Sequence, residues 1–314
     1  KILVGALLAA ISVATFGQKP VISSVDKLVG SNQEKVTFQG SSFGTDSTKL
    51  AVFFGAAKGK INFVSDQLLE ASVPAGATFD KISVSHKPSG LTEYTNEQFL
   101  PSFGGVHGIT PARFEGQKDF DSERGLYDLC SCDFDGDRKV DIAPANDGAN
   151  SMNIFANTTT APGLANITYN KIPFLINTRS LHVTCGDLNG DGKPELVVAE
   201  GPPTFGRVFI FHNISTGAGN FNFNIQTIPF PGKKVKRVKI SDLDADGKPE
   251  VVVTIQDQNN ISILVNQSTP TTVSFAPTHI SVTIPGTAST DGLTIDDLNG
   301  DHLPEIVLSQ FLTS

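Results

Sequence analysis

An all-β fold built largely from one repeated unit is what this 314-residue sequence predicts, and three observations carry the prediction. Short Val, Ile and Phe runs broken by Gly, Asn and Pro recur along the chain, the pattern of strands between turns. Long stretches with a 3.6-residue or heptad period are absent. An acidic nonapeptide returns at an interval near 55 residues, its first Asp standing at 133, 187, 242 and 297. Charge narrows the partners: 32 acidic against 24 basic residues, a formal net charge of −8, argue against nucleic acid.

Residues 1–18, "KILVGALLAAISVATFGQ", place a Lys before an apolar Ala- and Leu-rich core and then small residues. This is the pattern of a secretory signal peptide with its cleavage region near Phe16 to Gln18, so the expected location is secreted, extracellular or cell-surface. The apolar run is short for a transmembrane helix, and no other segment approaches the ~20 residues such a helix needs. The sequence lacks an initiator Met and reads as slightly clipped at this end.

Residues 19–100 alternate short strands with turn signals roughly every ten residues, which predicts a small β-sandwich. Pro20 opens the segment, Gly40 and Phe43-Gly44 mark an early turn, "VFFG" ends at Gly55, and "VPAG" spans Val73 to Gly76. The order of these landmarks resembles an IPT/TIG domain, an immunoglobulin-like module. "GSSFG" (Gly40 to Gly44) satisfies the G-x-S-x-G pattern of a hydrolase nucleophile, but that motif must enter a helix and find Asp/Glu and His partners downstream. A polar turn and a strand follow instead, and the glycines read as turn residues.

The repeat dominates residues 101–314. "CGDLNGDGKPELVVAEG" from Cys185 has relatives beginning at Cys132, Ser241 and Asp296. A second landmark, Asn157, Asn213 and Asn266, moves in step about 24 to 26 residues behind. The unit reads strand, acidic loop, strand, strand, Asn-containing turn, strand. Units of this length predict propeller blades, with an open solenoid as the alternative. An EF-hand does not fit, because its twelfth position counted from Asp187 is Val198 and a strand-like run follows where a helix should.

The loop pattern D-x-[DN]-x-D-G-x-P-[DE] resembles that of the FG-GAP and VCBS repeats of integrin α-subunit propellers and many secreted bacterial proteins. The resemblance implies one Ca²⁺ per loop, up to four, held by side chains at positions 1, 3, 5 and 9 and a backbone carbonyl at 7. Loop one would supply Asp133, Asp135, Asp137 and Asp141 with the Lys139 carbonyl. Loop two would supply Asp187, Asn189, Asp191 and Glu195 with that of Lys193. Loop three would use Asp242, Asp244, Asp246 and Glu250 with Lys248, and loop four Asp297, Asn299, Asp301 and Glu305 with Leu303. Hard Ca²⁺ takes six to eight oxygens, which alternate residues of a tight loop can direct inward, whereas Mg²⁺ prefers a stricter octahedron and keeps its waters. Without a cation, the fourteen carboxylates of these loops would repel and their pKa values would rise. Position 6 is Gly192 and Gly247 in the middle loops but Arg138 and His302 in the outer ones; if it needs positive φ, a non-Gly residue there costs on the order of 1 kcal/mol. The middle loops therefore rank first and loop four last. The integrin-type propeller has seven blades, and seven such units would need roughly 385 residues. The expectation is thus a fragment of an incomplete seven-bladed propeller, with a closed four-bladed ring as the alternative.

Cys130, Cys132 and Cys185 would meet an oxidising compartment after export. If their strands are equivalent, Cys132 and Cys185 face opposite sides of the sheet; on that ground small buried residues are expected and a disulfide is not. Asn157, Asn166, Asn213, Asn260 and Asn266 match N-x-[ST], and the three in the repeated turn read as structural. The six histidines show no paired metal-ligand spacing. The function these features favour is a calcium-binding adhesion or interaction protein, not an enzyme, with structural calcium, no catalytic residues and an unidentified extracellular protein or glycan as partner. The alternative is the scaffold or carbohydrate-binding part of a secreted polysaccharide-active enzyme, or a lectin. Against the enzyme, every clustered carboxylate already has a metal-binding explanation, and no acid/base pair stands apart.

Overall fold

The computed structural model describes residues 19–102 and 117–311, apart from 123, 149, 162–165, 202, 204–205, 257, 285–288 and 300–302. Residues 1–18, expected to form a signal peptide, lie outside the described residues. Among the described residues the named regular structure is strand, together with a three-residue 3₁₀ turn at Ser47–Lys49 capped by Asp46.

The N-terminal module is a two-sheet sandwich, as predicted. One sheet orders Val21–Val25, Lys35–Ser41, Leu68–Ser72 and Lys60–Val64; the other orders Val29–Gly30, Leu91–Pro101, Asp80–His86, Leu50–Phe54 and Ala57–Lys58. Phe38, Phe54, Leu69, Ile82 and Phe99 fill the space between them, with the Phe54 and Phe99 rings edge-to-face at 5.1 Å. Gly40 is dictated by packing, since a Cβ there would lie 1.7 Å from the Val21 carbonyl oxygen. Downstream of "GSSFG" come the 3₁₀ turn and the strand Leu50–Phe54, so the helix a hydrolase motif requires is not there.

Three four-stranded antiparallel sheets and one two-stranded sheet follow, each a meander in chain order. Blade one comprises Leu126–Cys132, Asp141–Asn146, Ser151–Asn157 and Tyr169–Leu175. Blade two comprises Ser180–Gly186, Glu195–Glu200, Arg207–Asn213 and Phe223–Pro229. Blade three comprises Lys234–Ser241, Glu250–Gln256, Asn260–Leu264 and Ile280–Thr283, and blade four Ser289–Asp296 and Glu305–Phe311. In each, the acidic loop joins the first strand to the second. The second strands, "ELVVAE" and "EVVVTIQ", read as continuous apolar runs because both of their faces are covered.

Successive first strands contact one another and form the hub. Each carries a β-bulge at an equivalent place: Leu126/Asp128, Ser180/His182, Val235/Val238 and Thr290/Leu293. His182 bridges three blades there. Its Nδ1 accepts from the Val238 N–H (3.3 Å) and its Nε2 lies 3.2 Å from Asp128 Oδ2. Burial lowers its pKa to about 4, so the imidazole is neutral and donates to Asp128 through Nε2.

Val197 and Ala199 of blade two pack with Val251 and Val253 of blade three, while Leu196 and Val198, on the opposite face, pack with Ala143 and Ile154 of blade one. This arrangement corrects the expectation about cysteines: Cys132 and Cys185 form a disulfide between the first strands of blades one and two. The parity was right and the conclusion wrong. Stacked blades meet by opposite faces, so residues of opposite parity on neighbouring first strands point at each other. Cys130 is free and partly buried.

Candidate metal centres

Acidic loops one to three close on themselves by the same local rule. The position-1 carboxylate turns back to accept the N–H of position 6: Asp133 from Arg138 (2.8 Å), Asp187 from Gly192 (2.8 Å) and Asp242 from Gly247 (2.9 Å). Positions 3 and 5 each accept from the N–H two residues on, as Asx turns do. The position-9 acid reaches across to the position-2 N–H: Asp141 to Phe134 (2.9 Å), Glu195 to Leu188 (2.8 Å), Glu250 to Leu243 (3.0 Å) and Glu305 to Leu298 (2.7 Å). A loop wound this way needs left-handed residues at two places. Position 6 has φ of 71° at Arg138, 82° at Gly192 and 88° at Gly247; position 4 has φ of 75° at Gly136, 72° at Gly190 and 60° at Ala245. The second requirement went unread in the sequence, although a small residue at position 4 of every loop was its signal.

The acidic side chains gather to different degrees. Ligand oxygens of Asp133, Asp135 and Asp141 lie within 4.8 Å of one another, and so do those of Asp242, Asp244 and Asp246. Among the described residues no equally tight acidic triad forms in loop two, where Asn189 holds position 3, or in loop four. Asp137 pairs with Lys139 at 2.9 Å and Asp191 with Lys193 at 3.7 Å, both partly solvated and therefore weak. Asp301 lies outside the described residues. In the described part of loop four Leu298 is 64% exposed, whereas its counterpart Leu188 is covered by blade three. The position-7 residues Lys139, Lys193, Lys248 and Leu303 lie in the bend before the second strand.

Burial raises the acidic groups. It pushes Asp133 up to about 6, Asp141 to about 7, Asp242 to about 6 and Glu250 to about 8, with repulsion from their loop neighbours adding to each. Asp187 and Glu195 are likewise raised, by burial first and then by repulsion, from Asp191 on Asp187 and from Asp187 and Asp191 on Glu195. Asp133 Oδ1 and Asp242 Oδ1, equivalent atoms of loops one and three, are buried without a hydrogen-bond partner. A bare buried carboxylate oxygen is costly. A hard divalent cation beside it would remove that cost, and oxygen-only donors of this kind suit Ca²⁺. The residues present fit the ion.

Two features outside the loops hold them. The first is the Asn turn. Asn213 Nδ2 donates to Pro194 O (3.0 Å) and to Phe134 O of the preceding blade's loop (2.8 Å), and Asn266 Nδ2 donates to Pro249 O and Leu188 O (both 2.8 Å). Their Oδ1 atoms accept from Ser215 and Ser268 N–H groups, so these buried amides are structural despite matching N-x-[ST]. The second is the N-terminal module, which lies across loops one to three. The Asp133 N–H donates to Ala56 O (3.1 Å), Lys58 Nζ to Gly192 O (2.9 Å), Thr92 N–H to Gly247 O (2.9 Å) and Lys19 Nζ to Ala245 O (2.9 Å). Burial lowers the Lys58 pKa while Asp187, Asp133 and Asp191 hold it up. Asp187 and Asp242 also line a chamber of about 610 Å³ between module and hub, with Asp80, Glu93 and Tyr94, so one side of loops two and three borders a polar space.

The family model described as an IPT/TIG domain matches residues 20–99, and that described as an FG-GAP-like repeat matches residues 133–198 and 242–308. A search of curated proteins finds no match. Among solved structures the chain is similar to a structural genomics protein of unknown function from Bacteroides thetaiotaomicron, at 15% identity, covering 95% of this chain and 69% of that one, with a TM-score of 0.35. It is also similar to an auxiliary nutrient binding protein from the same organism (14% identity, 93% and 81% covered, TM-score 0.28) and to an exotype rhamnogalacturonan lyase (15%, 93% and 57%, TM-score 0.37). All three are distant, and the assignment rests on the family models together with the loops and sandwich described above. The chain carries an N-terminal IPT/TIG domain followed by FG-GAP-like repeats.

Proposed function

We propose that this is an exported calcium-braced interaction protein, in which Ca²⁺ in the acidic loops is structural and fixes both the blades and the module lying across them. The observation that carries the reading is the buried, partnerless carboxylate oxygen at position 1 of loops one and three, set among acids that burial and mutual repulsion hold up. The disulfide favours export, since such bonds persist in oxidising compartments. Loops one to three take the ion through Asp133, Asp135, Asp137 and Asp141, through Asp187, Asn189, Asp191 and Glu195, and through Asp242, Asp244, Asp246 and Glu250. Extracellular calcium modules bind at about 10⁻⁴–10⁻³ M, which matches millimolar calcium outside cells. The partner is an extracellular protein or glycan.

Calorimetric titration of EDTA-treated protein should show calcium uptake, and the melting temperature should rise with calcium. At a concentration tenfold above Kd, each site adds about 1.4 kcal/mol. Asp191→Ala combined with Asp246→Ala should reproduce part of the loss that EDTA causes. A folded sample that takes up no calcium, or whose melting curve ignores EDTA, would overturn the reading.

A further inference from the structure

The metal loops are joined in series by single residues. Asn213 touches two loops at once. Its amide holds the Phe134 carbonyl, in the peptide that leads into the position-3 residue Asp135, and the Pro194 carbonyl, just before the position-9 residue Glu195. Its backbone N–H donates to Glu195 Oε1 at 3.3 Å. Asn266 repeats the arrangement one blade on: Leu188 O before Asn189, Pro249 O before Glu250, and its own N–H toward Glu250 Oε1 at 3.5 Å. Asn157 makes only the within-blade half, donating Nδ2–H to Val140 O (3.0 Å) and N–H to Asp141 Oδ1 (2.8 Å). A further bond joins the same blades, from the Gly219 N–H of blade two to Asp135 Oδ2 at 2.6 Å.

A loop that closes on calcium fixes the peptides on either side of its ligands. That fixes the amide bonded to those peptides, and the amide in turn fixes the neighbouring loop before its own ion arrives. We infer that Asn213 and Asn266 are positioning residues that make calcium binding by loops one, two and three positively cooperative, each loop ordering the next through one shared amide. The inference rests on the calcium reading above. The coupling is reciprocal, because two sites linked through a common ordering step must raise each other's affinity equally.

The test uses ¹⁵N-glycine labelling of the full chain and calcium titration, with Gly136 reporting loop one and Gly247 loop three. Disabling loop two by Asp191→Asn should weaken calcium binding at loop one by at least about fivefold, the lower end of ordinary coupling between sites. In an Asn213→Ala background, the loop-one affinity should no longer depend on whether loop two is intact. Asn157→Ala should lower loop-one affinity and leave the coupling in place, which a merely structural Asn turn would not distinguish. If loop one binds calcium equally well with loop two disabled, the inference is wrong while the calcium reading stands. This arm needs no Asn variant, so it decides the matter even if Asn213→Ala fails to fold. Absence of any calcium-induced shift in the unaltered protein would sink the calcium reading itself.

Discussion

Gly192 shows what a single position in these loops must satisfy. Its φ of 82° is left-handed, and a Cβ would lie 2.7 Å from Ala51 Cβ of the N-terminal module. Gly136 has a similar φ of 75° with nothing within 4 Å. Gly136→Ala should therefore cost only the backbone term, about 1–2 kcal/mol, and Gly192→Ala more than that; urea unfolding of the pair isolates the price of the contact. Arg138 occupies the position of Gly192 in loop one, with a φ of 71° and an exposed side chain. The raised carboxyls give a second expectation. In the metal-free protein, Asp133, Asp141, Asp242 and Glu250 have folded pKa values of about 6 to 8 against ordinary values of 3.8 to 4.5. The folded state thus holds more protons on these four groups than the unfolded one across that window, so their contribution to metal-free stability is fully present below about pH 4 and is lost as pH rises to about 8, against the opposite, smaller trend of the single buried His182. Stabilisation by calcium should grow over the same interval, since the ion must displace those protons. Melting temperatures with EDTA and with calcium, taken at pH 5 and pH 8, measure both trends.

Strands and turns carry the next level. The disulfide between Cys132 and Cys185 closes 53 residues of chain and ties the first strands of two blades. Its loss should cost about 2–4 kcal/mol, read as a lower melting temperature for Cys132→Ser with Cys185→Ser, or for the native chain under dithiothreitol. The strand order of a blade was readable from alternation and turn residues, and the acids of each loop from their spacing, because both are properties of a few consecutive residues. Asn213 and Asn266 were recognisable as turn residues for the same reason. Their bonds to Phe134 O and Leu188 O were not, since each partner lies in the preceding repeat, 79 and 78 residues earlier. The bulges in the first strands were equally silent, as nothing in "VKRVKIS" marks where pairing slips.

At the scale of the molecule, the IPT/TIG module and the blades are one assembly. The sequence reads as two successive domains, yet Ala56, Lys58 and Thr92 of the first are bonded to loops one, two and three of the second. If calcium orders those loops, its removal should loosen the module. Lys58, partly buried against Gly192, should then be acetylated faster relative to the exposed Lys60, as mass spectrometry after brief labelling would record. Equal Lys58 reactivity with and without calcium would separate module docking from the metal. The amino-acid sequence by itself determined the strand content, the period of the blades and the acids of each loop, because these follow from alternation, turn chemistry and charge within short windows. Only the tertiary structure decided which blade faces meet, which cysteines join, which amide reaches the neighbouring loop and where the module rests. Those depend on surfaces brought together from distant parts of the chain, and a local pattern says which face a residue takes but not what that face will meet.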